Sequence, residues 1–126
     1  MSKQIKIFQF SPNTHLARME ETINHWLTEK GESIAIVHSQ TSETREQFIF
    51  SCVYQAKAPE KQKINPKQVK LFRSQQDDEQ HELENFINEW FAGYGDEIEV
   101  NRCLQSTAGK HLTMLIFFRS ARNKIS

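Results

Sequence analysis

The sequence predicts an α+β protein: a tandem duplication of a βαββ unit, giving a two-layer sheet plus two helices with pseudo-twofold symmetry. Three observations carry this expectation. The phrase "MEETINHWL" at residues 19–27 returns as "LENFINEWF" at residues 83–91. The match runs without a gap from Ile5 to Gln55 when the chain is shifted by 64 positions. Within each copy, apolar residues recur every second residue in some stretches and every third or fourth in others. Those are the periods of strands and helices.

The repeat is dense in informative residues. Lys6 falls on Lys70, Phe8 on Phe72, Glu20 on Glu84, Ile23 on Ile87 and Asn24 on Asn88. Trp26 falls on Trp90, Gly31 on Gly95, Ile34 on Ile98 and Ser42 on Ser106. Conservative pairs fill the gaps, such as Ile5 with Val69, Ile7 with Leu71, Met19 with Leu83 and Leu27 with Phe91. A period of this length marks a repeated supersecondary unit.

Each copy opens with a short β-type run, "KQIKIFQF" and then "KQVKLFRS". Asn13 and Asp77 stand where a helix N-cap is expected, since their side-chain oxygens accept bonds from free N–H groups of the first turn. Gln80 follows Asp77 as in a capping box. Helices are expected from about Thr14 to Glu29 and from about Asp78 to Ala92. Leu16, Met19, Ile23, Trp26 and Leu27 form one apolar stripe, and Leu83, Phe86, Ile87, Trp90 and Phe91 form the other. Gly31 and Gly95 suit the left-handed residue past a helix end. Two strands follow in each copy: "SIAIVHSQ" and "EQFIFSCVYQ", then "EIEVNRCLQ" and "HLTMLIFFR". The polar links "TSETR" and "STAGK" fit hairpins.

This gives a first repeat over residues 1–55, a linker over 56–68 and a second repeat over 69–126, folded as one integrated domain. A lone unit of about 50 residues buries too little surface to stand by itself. Two copies either join their sheets edge to edge, with both helices on one face, or stack them. Tandem duplication in this form substitutes for a homodimer.

The strands carry a functional hint. Phe48, Phe50, Cys52 and Tyr54 share a face, opposed by Ile49 and Val53. Leu112, Met114, Ile116 and Phe118 share another, opposed by Leu115 and Phe117. Phe8, Phe10 and Phe72 oppose Ile5, Ile7, Val69 and Leu71. A sheet with one wet face alternates apolar with polar, whereas here both faces are apolar. Something covers the second face: the other half, another subunit or a ligand. Phe8, Phe10, Phe72, Ile49, Val53, Leu115 and Phe117 are the candidate interface.

Two polar pairs repeat. Glu20 with Asn24, and Glu84 with Asn88, sit four apart on helices and form the candidate polar sites. They either build symmetric sites near a twofold axis or fasten a helix to its neighbour. The histidines show no metal spacing, and no dinucleotide, phosphate-loop, serine-hydrolase or zinc-protease motif occurs. "DDEQHELE" reads as acidic residues favoured by a helix N-terminus. No catalytic residue, cofactor or metal is expected. Cys52 and Cys103 fall in strands with no CxxC spacing and read as reduced thiols.

Formal charge balances at zero but is segregated. Ser74 to Asn101 holds no Lys or Arg. The linker and tail concentrate Lys57, Lys61, Lys63, Lys67, Lys70, Arg119, Arg122 and Lys124, a candidate basic edge for phosphate. Neutral overall charge weighs against strong non-specific nucleic-acid binding. No apolar run reaches the roughly 18 residues of a membrane span. "MSKQIKIFQF" lacks a secretory h-region, so a cytoplasmic protein is expected.

The phrases "KIFQF", "MEETINHWL", "SIAIVHSQTS" and "FIFSCVY" resemble the single unit of a family of very small βαββ proteins labelled sporulation protein. The resemblance covers each repeat and rests on an amphipathic helix ending in I-N-x-W. It implies the βαββ fold and brings no catalytic residues. The element order is also similar to dodecin, a flavin-storage protein, in topology alone.

The expected function is therefore non-catalytic binding or assembly through an apolar sheet face, with a homo-oligomer or another protein as partner. A nucleic-acid-binding regulator using the basic edge is the alternative. A small-ligand carrier or enzyme is the third.

Overall fold

The computed structural model describes residues 2–11, 13–58, 65–74, 80–109 and 111–121. The first unit comprises β1 (Lys3–Phe10), α1 (Leu16–Lys30), β2 (Ile34–Glu43) and β3 (Phe48–Ala56). The second comprises β4 (Gln68–Arg73), α2 (Gln80–Tyr94), β5 (Ile98–Ala108) and β6 (His111–Ser120). Each unit forms a three-stranded antiparallel sheet, in the orders β1-β3-β2 and β4-β6-β5. The βαββ duplication and the α+β class follow directly. Among the described residues, no helix is long and apolar enough to cross a membrane.

The helices end as their glycines require. Gly31 and Gly95 adopt φ of 50° and 56°, where a side chain would be strained. The start of α1 differs from expectation. Its N-cap is His15, without a side-chain cap bond, and not Asn13. The cause is a turn upstream, in which the Thr14 N–H donates to the Ser11 carbonyl at 3.0 Å. The chain becomes helical only after it. Asp77, the expected cap of α2, lies outside the described residues, as do residues 59–64 of the linker.

Both second strands carry an irregularity at equivalent places. The register shifts between Ile36 and His38 in β2 and between Val100 and Arg102 in β5. A bulge reverses the alternation beyond it and bends the strand. Ile36 therefore shares a face with Ser39, Thr41 and Glu43.

The two sheets meet through unlike faces. Phe8, Phe48, Phe50 and Cys52 of the first sheet form one buried cluster with Val69, Leu71, Leu115 and Phe117 of the second. The Phe50 and Phe117 rings lie 5.7 Å apart at the centre. In the repeat, the counterparts of the first set are Phe72, Leu112, Met114 and Ile116, which lie on the second sheet's outer side. Strand β2 runs beside β5, linked by Arg102 Nη1 donating to Ser39 Oγ at 2.9 Å and Ser106 Oγ donating to Glu43 at 3.3 Å.

The helices take different places in consequence. Met19, Ile23 and Leu27 of α1 complete the shared core. Fully burying each such side chain contributes about 1.5–3 kcal/mol. Helix α2 lies on the outer face of the second sheet, where Trp90 packs edge-on against Phe72 at 5.8 Å and Phe118 at 5.0 Å. Trp26 makes the same contacts in its own unit, with Phe8 at 5.9 Å and Tyr54 at 5.2 Å. Each helix is seated alike on its own sheet. Only α1 has the other sheet beside it.

Candidate functional site

The repeated Glu and Asn have a defined task in the first copy. Helix α1 flanks β4, an edge strand of the second sheet. Asn24 Nδ2 donates to the Val69 carbonyl at 3.1 Å, and Asn24 Oδ1 accepts from the Val69 N–H at 2.6 Å. One turn earlier, Glu20 accepts from the Leu71 N–H at 2.8 Å and pairs with Lys70 Nζ at 3.3 Å. The spacing of four residues on the helix matches the spacing of two along the strand, because both advance by about 6 Å. The latch thus satisfies outward backbone groups of an edge that otherwise invites another strand. Glu20 and Asn24 fasten a helix to a strand across the two units.

The second pair is placed differently. Glu84 and Asn88 lie on an exposed face of α2. The strand equivalent to β4 is β1, an edge strand whose Ile5 and Ile7 stand open to solvent. The structure brings the first pair and its target together and leaves the second pair apart from β1.

The candidate interface residues divide into two groups. Phe8, Leu115 and Phe117 are buried and Phe10 packs against their cluster, so the chain's own other layer covers them. Of the three covers the sequence allowed, the other half is the one that seals these residues: unlike faces of the two sheets meet, and each covers the other. Phe72 lies outside that cluster and meets Trp90. Ile49 and Val53 are half-buried on the outer face of the first sheet. With Ile5 and Ile7 they form an apolar surface that the chain's other layer leaves open.

Of the basic residues, Lys57, Lys67 and Arg119 line one open cavity beside Gly31 and Ile34. Burial pushes the Lys67 ammonium below its ordinary pKa, helped by the nearby charges of Arg102, Arg119 and Lys57. Arg119 Nε is buried, lacks a hydrogen bond among the described residues, and has the Glu99 carboxylate 3.6 Å away. Lys70 is engaged by Glu20 instead. Lys61, Lys63, Arg122 and Lys124 lie outside the described residues.

A network that the sequence reading missed lines a second, larger open cavity of about 590 Å³. Arg73 Nη2 lies 3.6 Å from the well-buried Glu43 carboxylate, and Arg73 Nε donates to Thr113 Oγ1 at 2.9 Å. The signal in the sequence was weak, since Glu43 falls in the polar stretch "TSETR" assigned to a hairpin link and Arg73 falls near the end of the run "KLFRS". His111 Nδ1 lies 3.1 Å from the Ser74 carbonyl at the rim. No group of three or more metal-ligating side chains occurs among the described residues. Cys52 is buried and Cys103 exposed, both as free thiols. Burial pushes the Cys52 thiol up to about 11. No family model, curated protein or solved structure was found to match the chain.

Proposed function

We propose that the protein is a non-catalytic binding and assembly module, with the β1 edge and the outer face of the first sheet as its docking surface. The exposure of Ile5 and Ile7 on an edge strand carries this reading. Edge strands are normally covered, charged or shortened. This one is eight residues long and carries Ile5 and Ile7 at the middle of its outer side, between Lys3 and Gln9. Exposed apolar groups at a strand edge mark a place where another element seats.

The test is capture by the immobilised chain, comparing wild type with the double substitution Ile5→Lys and Ile7→Lys. A partner held by wild type and lost by the variant, whether a further copy or a different protein, supports the reading. Identical retention by both sinks it.

The convergence of Lys57, Lys67 and Arg119, with Arg102 nearby, favours a second reading, a phosphate-bearing partner such as nucleic acid. An anion there relieves the mutual repulsion of these cations. A mobility shift at low salt that weakens with added salt, and with Lys67→Ala, supports it. No shift at low salt removes it.

A further inference from the structure

We propose that the chain assembles head to tail: α2 of one copy docks on the β1 edge of the next copy, as α1 docks on β4 within the chain. The inference rests on the reading of the β1 face as a docking surface, and names its occupant.

The contact between α1 and β4 is a worked example inside the molecule. The counterparts of the latch residues are present in the repeat, whereas Thr28, which accepts from Gln68 Nε2 at 3.0 Å, has Ala92 in its place. Asn24 and Glu20 correspond to Asn88 and Glu84, Val69 and Leu71 to Ile5 and Ile7, and Lys70 to Lys6. The latch transposes directly: Asn88 meets both backbone groups of Ile5, Glu84 accepts from the Ile7 N–H, and Lys6 supplies the cation. The central ring pair of Phe50 and Phe117 transposes to Met114 and Val53, both half-buried in the single chain.

Burial shows what the second contact lacks. Val69 and Leu71 are 1% and 2% exposed, while Ile5 and Ile7 are 58% and 52% exposed. Ile23 and Leu27 are buried, while Ile87 and Phe91 remain half-buried. Phe86 widens the apolar surface of α2 and is itself exposed. Both halves of a complementary contact thus keep apolar residues exposed.

One chain does not join them itself. The sheets stack through the first sheet's inner face, so their outer faces point in opposite directions. Ile5 and Ile7 lie on one outer side and α2 lies on the other. A second copy stacked on α2 presents its own Ile5 and Ile7 to it. The contact joins unlike surfaces, so it repeats into a closed ring or an open chain.

The test uses chains in a Cys103→Ser background, where the remaining Cys52 is buried, with Gln4→Cys in one and Ala92→Cys in the other, the counterparts of the bonded Gln68 and Thr28, and a short bismaleimide. Mixing the two is expected to give a covalent pair that neither gives alone. The double variant is expected to give a ladder of multiples, ending at a fixed size if the ring closes. Light scattering is expected to show a mass above that of one chain, reduced by Asn88→Ala or Ile7→Lys with melting of the dilute chain unchanged. A link formed at monomer mass overturns the proposal, because α2 then closes on its own β1. Oligomers indifferent to both substitutions overturn it as well. A monomer that captures a different protein through Ile5 and Ile7 overturns it while leaving the broader binding role intact.

Discussion

Asn24 and Val69 are joined twice, the side-chain amide donating to the carbonyl at 3.1 Å and accepting from the N–H at 2.6 Å. One side chain therefore does for β4 what a neighbouring strand would do. Asn24→Ala leaves both backbone groups of Val69 without this partner, at a part-buried site. The expected loss is about 2–3 kcal/mol of unfolding free energy in urea titrations. Asn24→Asp keeps the acceptor but turns an anion toward the Val69 carbonyl, and is expected to be no better at neutral pH. Asn88→Ala is expected to leave the dilute chain's stability unchanged.

Thr41 offers the opposite outcome. Its Oγ1 is buried and lacks a hydrogen-bond partner among the described residues. Thr41→Val removes an unsatisfied hydroxyl, keeps the shape and suits a strand. Stability is expected to rise by about 1 kcal/mol, seen as a higher denaturation midpoint with an unchanged slope. A lower midpoint would show that the hydroxyl is bonded after all.

The two thiols are expected to react in sequence. Cys103 is exposed and labels in the native protein at pH 8, whereas Cys52 is buried and labels only on unfolding. Burial raises the Cys52 pKa from 9.0 to about 11. The folded state then holds its proton more tightly than the unfolded state. That contribution to stability is complete below pH 9 and is lost as pH rises through 11. Lys67 works the other way, since its folded pKa lies below 10.5 and stability rises toward that pH. Comparing wild type with Cys52→Ala isolates the thiol: wild type is expected to decline more steeply with pH over this window.

The tryptophans test the equivalence of the two seats. Trp26 meets Phe8 and Tyr54, and Trp90 meets Phe72 and Phe118. Truncating a large aromatic in a core costs about 3–5 kcal/mol. Trp26→Ala and Trp90→Ala are each expected to lower the melting temperature sharply and comparably. A Trp90 variant that melts normally but no longer self-associates would make Trp90 a recognition residue.

Much of this architecture was legible because repetition is a pattern in sequence alone. The helical stripe of Met19, Ile23 and Leu27 and the strand faces around Phe50 and Leu115 follow from periodicity, and the helix ends from glycine's access to positive φ. The use of those faces does not. Periodicity places Phe8 and Ile7 on opposite sides of β1, but the choice of which side is sealed depends on how the units stack. Asn24 and Asn88 are identical letters with different surroundings for that reason. The bulges also escape an alternation rule, although the unbroken apolar run "IAIV" is where β2 loses its register.

Those bulges carry a historical consequence. The register slips between Ile36 and His38 and again between Val100 and Arg102, positions separated by the repeat length. Two independent insertions at the same offset are far less economical than one inherited twice. The kink was therefore already present in the ancestral single unit before the gene doubled. A single unit of about 50 residues buries too little surface to stand alone, and here the inner face of one copy is sealed by the other. Doubling therefore placed one copy's helix under the discipline of the interior and left its twin under that of the surface.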